Sequence, residues 1–145
     1  MSACGLPSAI LFACTMNAVR SPIAAALARQ MFGQNVFVRS AGVHRGEPDG
    51  FAIEVAREAG IDMSHHEAHS FDDLQDHFFD VVIALSPEAE AFAQEWTRMT
   101  DCAVEYWPML DPTTIEGSRD SRLAAYRELR EQLRQRIAAR FPQQG

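Results

Sequence analysis

The sequence predicts an α/β fold, a parallel sheet with helices packed on both of its faces. Apolar runs of strand length alternate with helix-like segments four times along the chain, and such alternation favours parallel strands joined by helical crossovers. The first and third runs are apolar almost throughout, as expected of strands covered on both faces. Cys14, Ser40, Ser86 and Asp111 each stand just beyond an expected strand end. In such sheets ligands bind outside the carboxyl ends of the strands, where strand order switches.

Met1 to Pro7 reads as a loose lead-in, and Ser8 to Ala13 as the first strand. Cys14 to Arg20 is a short loop. Pro22 suits a first helical position, where its missing N–H costs nothing, and Ser21 can cap just before it. Ala24 to Met31 continues that helix, and Gly33 closes it. Asn35 to Arg39 is a Val- and Phe-rich second strand, followed by a loop from Ser40 to Gly50. The second helix spans Phe51 to Ala59, with Phe51, Val55 and Ala59 on one face, and Gly60 ends it. Asp62 to Ser70 is polar and histidine-rich, and Ser70 to Leu74 reads as a short capped helix. Asp80 to Leu85 is the third strand, and Pro87 opens a helix carrying Phe92 and Trp96. Cys102 to Trp107 is the fourth strand, and Asp111 to Ser118 a loop. Ser121 to Phe141 is the last helix, its apolar stripe made by Leu123, Tyr126, Leu129, Leu133 and Ile137. The other face of that helix, with Arg127, Glu128, Arg130, Glu131, Arg134 and Arg136, reads as solvated.

The loop from Cys14 to Arg20 lies between a buried strand and a helix N-terminus, whose free amides and dipole favour an anion. A helix N-terminus and a nearby cation also favour a thiolate, the nucleophilic form of cysteine. Arg20 carries a permanent charge on a planar fork that matches two phosphoryl oxygens. Thiol, amides and guanidinium together describe a cradle for a tetrahedral oxyanion with sulfur beneath it. The reaction this predicts is phosphoryl transfer to Cys14, followed by hydrolysis. Such a transfer needs a proton on the leaving oxygen. Asp111, held extended by Pro112, stands on the same side of the expected sheet. By itself Asp-Pro also reads as a simple turn.

Cys14-Thr15-Met16-Asn17-Ala18-Val19-Arg20-Ser21-Pro22 resembles the Cys-x5-Arg-[Ser/Thr] phosphate loop of the low-molecular-weight protein tyrosine phosphatases. The resemblance continues at Ser40-Ala41-Gly42, at Gly60 to Ala68 and at Asp111-Pro112, in the family's order and over nearly the whole chain. It implies a three-layer α/β sandwich of flavodoxin-like topology with a four-stranded parallel sheet in the order 2-1-3-4. It implies Cys14 as nucleophile, Arg20 as phosphate ligand and Asp111 as general acid. Thr15, Met16, Asn17, Ala18, Val19, Arg20 and Ser21 would form the phosphate-binding loop. Ser21 can donate to the Cys14 thiolate, and Asn17 suits a left-handed position. Ser40 and His66 look like supporting partners of Asn17 and Ser21, although His65 or His69 could be the inward-facing ring instead.

The chain departs from that family in three places. Met16 stands where many members have Gly, and Val19 where many have a second Cys. The segment Val43 to Pro48 is polar where an aromatic or large apolar residue usually stacks on a phosphotyrosine ring. Thr113, Thr114 and Ile115 follow Asp111-Pro112 where aromatic residues are typical. A phosphotyrosine-type phosphomonoester hydrolase is therefore expected, weak on phosphotyrosine itself, with another phosphoester as its own substrate.

The length, 145 residues, suits one compact domain spanning 1–145. The net charge of −7, with every base an arginine, argues against a sequence-independent grip on nucleic acid. No segment reaches the length of a membrane span, and no basic region precedes an apolar run at the N-terminus. The three cysteines, Cys4, Cys14 and Cys102, form neither a CxxC pair nor a metal-ligand spacing. The cluster of His65, His66 and His69 lacks a further ligand class. No metal or cofactor is therefore expected, since thiolate, amides and Arg20 handle the charge. A reducing cytoplasm is the expected location. The expected partners are a phosphorylated protein or small phosphoester, with inorganic phosphate or another oxyanion in the loop, and the expected state is a monomer or weak dimer. Two other functions fit less well. Arsenate reduction on the same fold would need resolving thiols, which the segment after the third strand lacks. A non-catalytic phosphate-binding module would not need Cys, Arg and Asp-Pro together.

Overall fold

A computed structural model describes residues 6–75 and 77–142. Cys4 and most of the expected lead-in lie outside them. The strands are β1 (Ala9–Cys14), β2 (Phe37–Gly42), β3 (Val81–Ala84) and β4 (Ala103–Tyr106). The helices are α1 (Arg20–Phe32), α2 (Gly50–Glu58), α3 (Pro87–Trp96) and α4 (Arg119–Arg140), with short 3-10 turns at Gly33–Asn35, Phe71–Leu74 and Pro112–Thr114. All pairings are parallel, and the strand order is β2-β1-β3-β4. That is the topology the resemblance implies, and it sets the end of β1 at the switch point.

Strand alternation decides which side chains meet which helices. Ile10, Phe12 and Cys14 of β1 face a core shared with α1, α2 and α4. Ala9, Leu11 and Ala13 face a second core with Phe71, Val82, Ala84, Ala89 and Ala93. β1 is buried at every position. Burying a side chain such as Leu11 or Ile10 stabilises by roughly 1.5–3 kcal/mol. The ion pairs that Glu58 makes with Arg127 and Arg130 are partly exposed, and such pairs contribute about 0–1 kcal/mol. The sheet centre therefore dominates in holding the strand end that carries Cys14. No helix among the described residues is long and apolar enough to cross a membrane.

Several boundaries differ from the sequence expectation. Helix α1 begins at Arg20, with Val19 at its cap position and no side-chain cap. Ser21 is therefore not a cap but an inward-facing residue of the first turn. Pro22 fits there because the first four N–H groups of a helix lack intrahelical partners anyway. Strand β2 runs on through Ser40, Ala41 and Gly42, which pair with Phe12, Ala13 and Cys14, while Asn35 closes a 3-10 turn. Pairing with β1 overrides the loop-like Ser-Ala-Gly composition. Asp49 caps α2 through Ala52 N, at 3.1 Å, and Ser118 caps α4 through Ser121 N, also at 3.1 Å. Both helices thus start earlier than their apolar stripes indicate. Ser70 and Asp73 form the expected reciprocal cap over Phe71–Leu74. Gly60, as expected after α2, takes a left-handed φ of 81°. The ends of β3 and β4 shift by a single residue, within the ordinary ambiguity of strand termini.

Candidate active site

The segment after β2 shapes the loop after β1. Val43 N donates to Cys14 O at 3.1 Å, His44 N to Thr15 O at 2.8 Å, and Gly46 N to Met16 O at 2.7 Å. The His66 ring donates through Nε2 to Asn17 O at 2.9 Å, since a carbonyl only accepts. Four consecutive loop carbonyls are thus drawn outward. In a trans peptide the following N–H points the opposite way, so the amides of Thr15, Met16, Asn17 and Ala18 turn away from those partners. None of the amides from Met16 to Val19 donates to an acceptor among the described residues. An arc of free amides beside a thiol is a preformed oxyanion nest.

Gly42 is what lets the two segments approach. A Cβ there would lie 2.6 Å from His44 O and 2.7 Å from Asn17 N, both backbone atoms. Gly42→Ala is therefore expected to cost on the order of 1–3 kcal/mol and to lower the melting temperature by roughly 5–10 °C. The stabilisation conferred by added phosphate should fall with it, and thermal unfolding with and without phosphate checks both.

Asn17 is the only described non-glycine residue with positive φ, at 53°, and it is fully buried. Its Nδ2 donates to Ser21 Oγ at 2.9 Å, and its Oδ1 accepts from His69 N at 2.8 Å. Ser21 Oγ lies 3.0 Å from Cys14 Sγ and 3.3 Å from the Ala41 carbonyl. Ser21 N points at the same sulfur, at 3.4 Å. Cys14 is only 2% exposed, so its sulfur meets these donors in a dry setting.

Arg20 reaches under the loop. Its Nη1 donates to Met109 O at 3.2 Å and to Leu85 O at 3.5 Å, and its Nη2 lies 3.7 Å from Asp111 Oδ2. Asp111 Oδ1 accepts from Thr113 N at 3.0 Å and from Thr113 Oγ1 at 2.7 Å. Cys14, Arg20 and Asp111 line one cleft of about 510 Å³. Its walls come from the other strand-end loops: Gly46, Glu47 and Asp49 after β2, Glu88 at the start of α3, and Thr113 beside Asp111. No described residue lining it is aromatic.

A family model described as low molecular weight phosphotyrosine protein phosphatase matches residues 9–141. The chain belongs to this family. An arsenate reductase of Bacillus licheniformis is 33% identical over 138 residues, covering 94% of this chain and 96% of that protein. Among solved structures, an arsenate reductase in its oxidized state is 25% identical with a TM-score of 0.77, over 92% of this chain and 96% of its own. The YwlE arginine phosphatase from Geobacillus stearothermophilus is 27% identical with a TM-score of 0.74, over 90% of this chain and 88% of its own.

Most of the residues that the resemblance to this phosphatase family singled out come together around the cleft. The three histidines separate. His66 gives its ring to the loop, His69 gives its backbone amide, and the His65 side of the segment faces a groove behind α1. Ser40 is buried but is not a partner of the Asn17 or Ser21 side chain, because the Ala41 carbonyl faces Ser21 instead. Thr15 belongs to the expected phosphate-binding loop. Its hydroxyl donates to Glu88 Oε1 at 3.1 Å and lies 3.0 Å from the Ser86 hydroxyl. The sequence does not announce the pairing of Asp49 with Tyr126, whose Oη donates to Asp49 Oδ2 at 2.9 Å. Burial first, and then that bond, hold the Tyr126 phenol above its ordinary pKa. Asp49-Gly50 ahead of a helix is a capping signal that could have drawn attention to Asp49.

Burial, the largest influence on His66, pushes its pKa below the ordinary histidine value, partly opposed by its bond to Asn17. The folded chain therefore binds this proton less readily than the unfolded chain. The stability tied to neutral His66 is complete above the ordinary value of 6.5 and is lost as pH falls through the window below it. His66→Gln is expected to flatten the decline in melting temperature between about pH 7 and about pH 5. An unchanged slope in the variant would exclude His66 as its source.

Proposed function

We propose that the protein is a cysteine-dependent phosphomonoester hydrolase that works through a phosphocysteine intermediate. The observation that carries this reading is the Asp111 carboxylate, 3.7 Å from Arg20 and in the same cleft as Cys14. In the first step the Cys14 thiolate attacks phosphorus, and an S–P bond forms as the P–O bond to the alcohol breaks. Asp111 gives its proton to the departing oxygen. Arg20 and the loop amides hold the equatorial oxygens as charge develops on them. In the second step water attacks phosphorus and passes a proton to the Asp111 carboxylate. The S–P bond breaks, the electron pair returns to sulfur, and phosphate leaves. The donors around Cys14 Sγ stabilise the thiolate as leaving group. Metal-independent hydrolysis of p-nitrophenyl phosphate, resistant to chelator, is the test, and its absence would reject the reading.

Arsenate reduction is the second reading, favoured by the similarity to the Bacillus licheniformis arsenate reductase. The position of Cys102 weighs against an internal disulfide relay. It precedes β4 at the start of the sheet, whereas Cys14 ends β1. Strand rise and spacing put their Cα atoms on the order of 15–20 Å apart, well beyond disulfide reach. Burial, and then Asp80, also push the Cys102 thiol pKa up, which disfavours the reactive form. Arsenate-dependent NADPH oxidation coupled through thioredoxin or glutaredoxin, without phosphatase activity, would move the assignment to the reductase.

A further inference from the structure

We propose that the cleft selects small phosphoesters whose alcohol carries a positive charge close to the phosphate, and that Glu47, Asp49 and Glu88 make the selection. This rests on the hydrolase reading and specifies its substrate class. The phosphoryl group is fixed at the floor by the loop amides and Arg20, so the remainder of the substrate must leave past the walls. Those walls hold three carboxylates besides Asp111, and the only cation lining the cleft among the described residues is Arg20 at its floor.

The arginines nearest in sequence to the walls do not line the cleft. Arg45 is held by both oxygens of Asp73, at 2.6 and 2.9 Å. Arg119 and Arg122 lie over the Phe51 ring at 6.0 and 4.7 Å, in an adjoining groove that Asp49 also borders, so Glu47 and Glu88 carry most of the uncompensated charge. The wall carboxylates differ in how they are fixed. Asp49 is oriented by Tyr126 and by Ala52 N, and Glu88 accepts from Thr15. Glu47 is exposed, and its side chain has no hydrogen-bond or ion-pair partner among the described residues. The uncharged lining is aliphatic: Met16, Ala18 and Val19. An alkylammonium fits such walls. An anionic alcohol is repelled by them, and a phenyl ring finds no aromatic face to stack on.

The test uses the full chain and a matched pair of esters, phosphocholine and neohexyl phosphate, its uncharged carbon isostere. Phosphocholine should show about tenfold higher kcat/KM at low salt. The advantage should shrink toward parity near 1 M salt, where charges are screened beyond about 3 Å. Glu47→Gln and Glu88→Gln should each lower that ratio about threefold, mainly through KM, with the double variant lower still. A ratio at or below one, or a ratio unmoved by both variants, overturns the proposal. A phosphotyrosine peptide with arginine flanks, set against one with alanine flanks, separates the sources of positive charge. A larger gain from the arginines than from choline would reject the small-molecule assignment. If p-nitrophenyl phosphate is not hydrolysed, the hydrolase reading fails. Calorimetric titration with the same two esters then still decides the charge preference, since equal affinities would overturn it.

Discussion

Cys14→Ser is expected to abolish hydrolysis of p-nitrophenyl phosphate, lowering kcat by roughly four to six orders of magnitude. At 1.36 kcal/mol per tenfold, that is about 5–8 kcal/mol of transition-state stabilisation. The change is nearly isosteric, and Ser21 N and Oγ remain in place to meet the new hydroxyl. The loss therefore comes from chemistry: an alcohol does not become the anionic nucleophile that a thiol becomes at neutral pH. Phosphate should still raise the melting temperature of the variant, because the loop amides and Arg20 do not depend on sulfur. Residual activity within tenfold of wild type would remove Cys14 from the nucleophile's role. Loss of phosphate stabilisation together with activity would point to a collapsed loop.

Asp111→Asn should lower kcat on alkyl phosphates by about two to four orders of magnitude and by less on p-nitrophenyl phosphate, whose leaving group scarcely needs a proton. The asparagine oxygen can still accept from Thr113 N and Oγ1, so orientation survives while the acidic proton is gone. The signature is a steeper dependence of rate on leaving-group basicity, with phosphate affinity retained. A variant with a nearly wild-type rate on alkyl esters would exclude Asp111 as the acid. A uniform fall across all leaving groups would instead assign it to holding Arg20.

The layers of this molecule were legible because β1 and β3 are short, wholly apolar runs and the crossovers carry periodic helices, α2 and α3 with side-chain caps. The loop was legible because Cys14, Arg20 and Pro22 sit at fixed spacing between a strand and a helix. What could not be read depends on contacts across long separations. Tyr126 and Asp49 are 77 positions apart, and Thr15 and Glu88 are 73 apart. Nothing local marks either pair. Gly42 looked like the start of a loop, because its role depends on how near Asn17 N and His44 O pass. The choice among the histidines turned on ring placement, and only His66 brings Nε2 within 2.9 Å of the Asn17 carbonyl. Ser21 satisfied the preference for a cap, but its buried contacts with Cys14 and Asn17 put it inside the first turn.

The cleft floor is supplied by the β1–α1 connection and its walls by the other three. Under the proposed reaction, the nucleophile with its anion cradle and the residues that meet the rest of the substrate are encoded in separate stretches of chain. If the wall carboxylates select as proposed, substitutions at Glu47 or Glu88 redirect the protein toward a new substrate while the Cys14–Arg20 segment stays unaltered. Such modularity gives a physical route by which one ancestral scaffold diversifies, and arsenate reductases and an arginine phosphatase share this backbone arrangement.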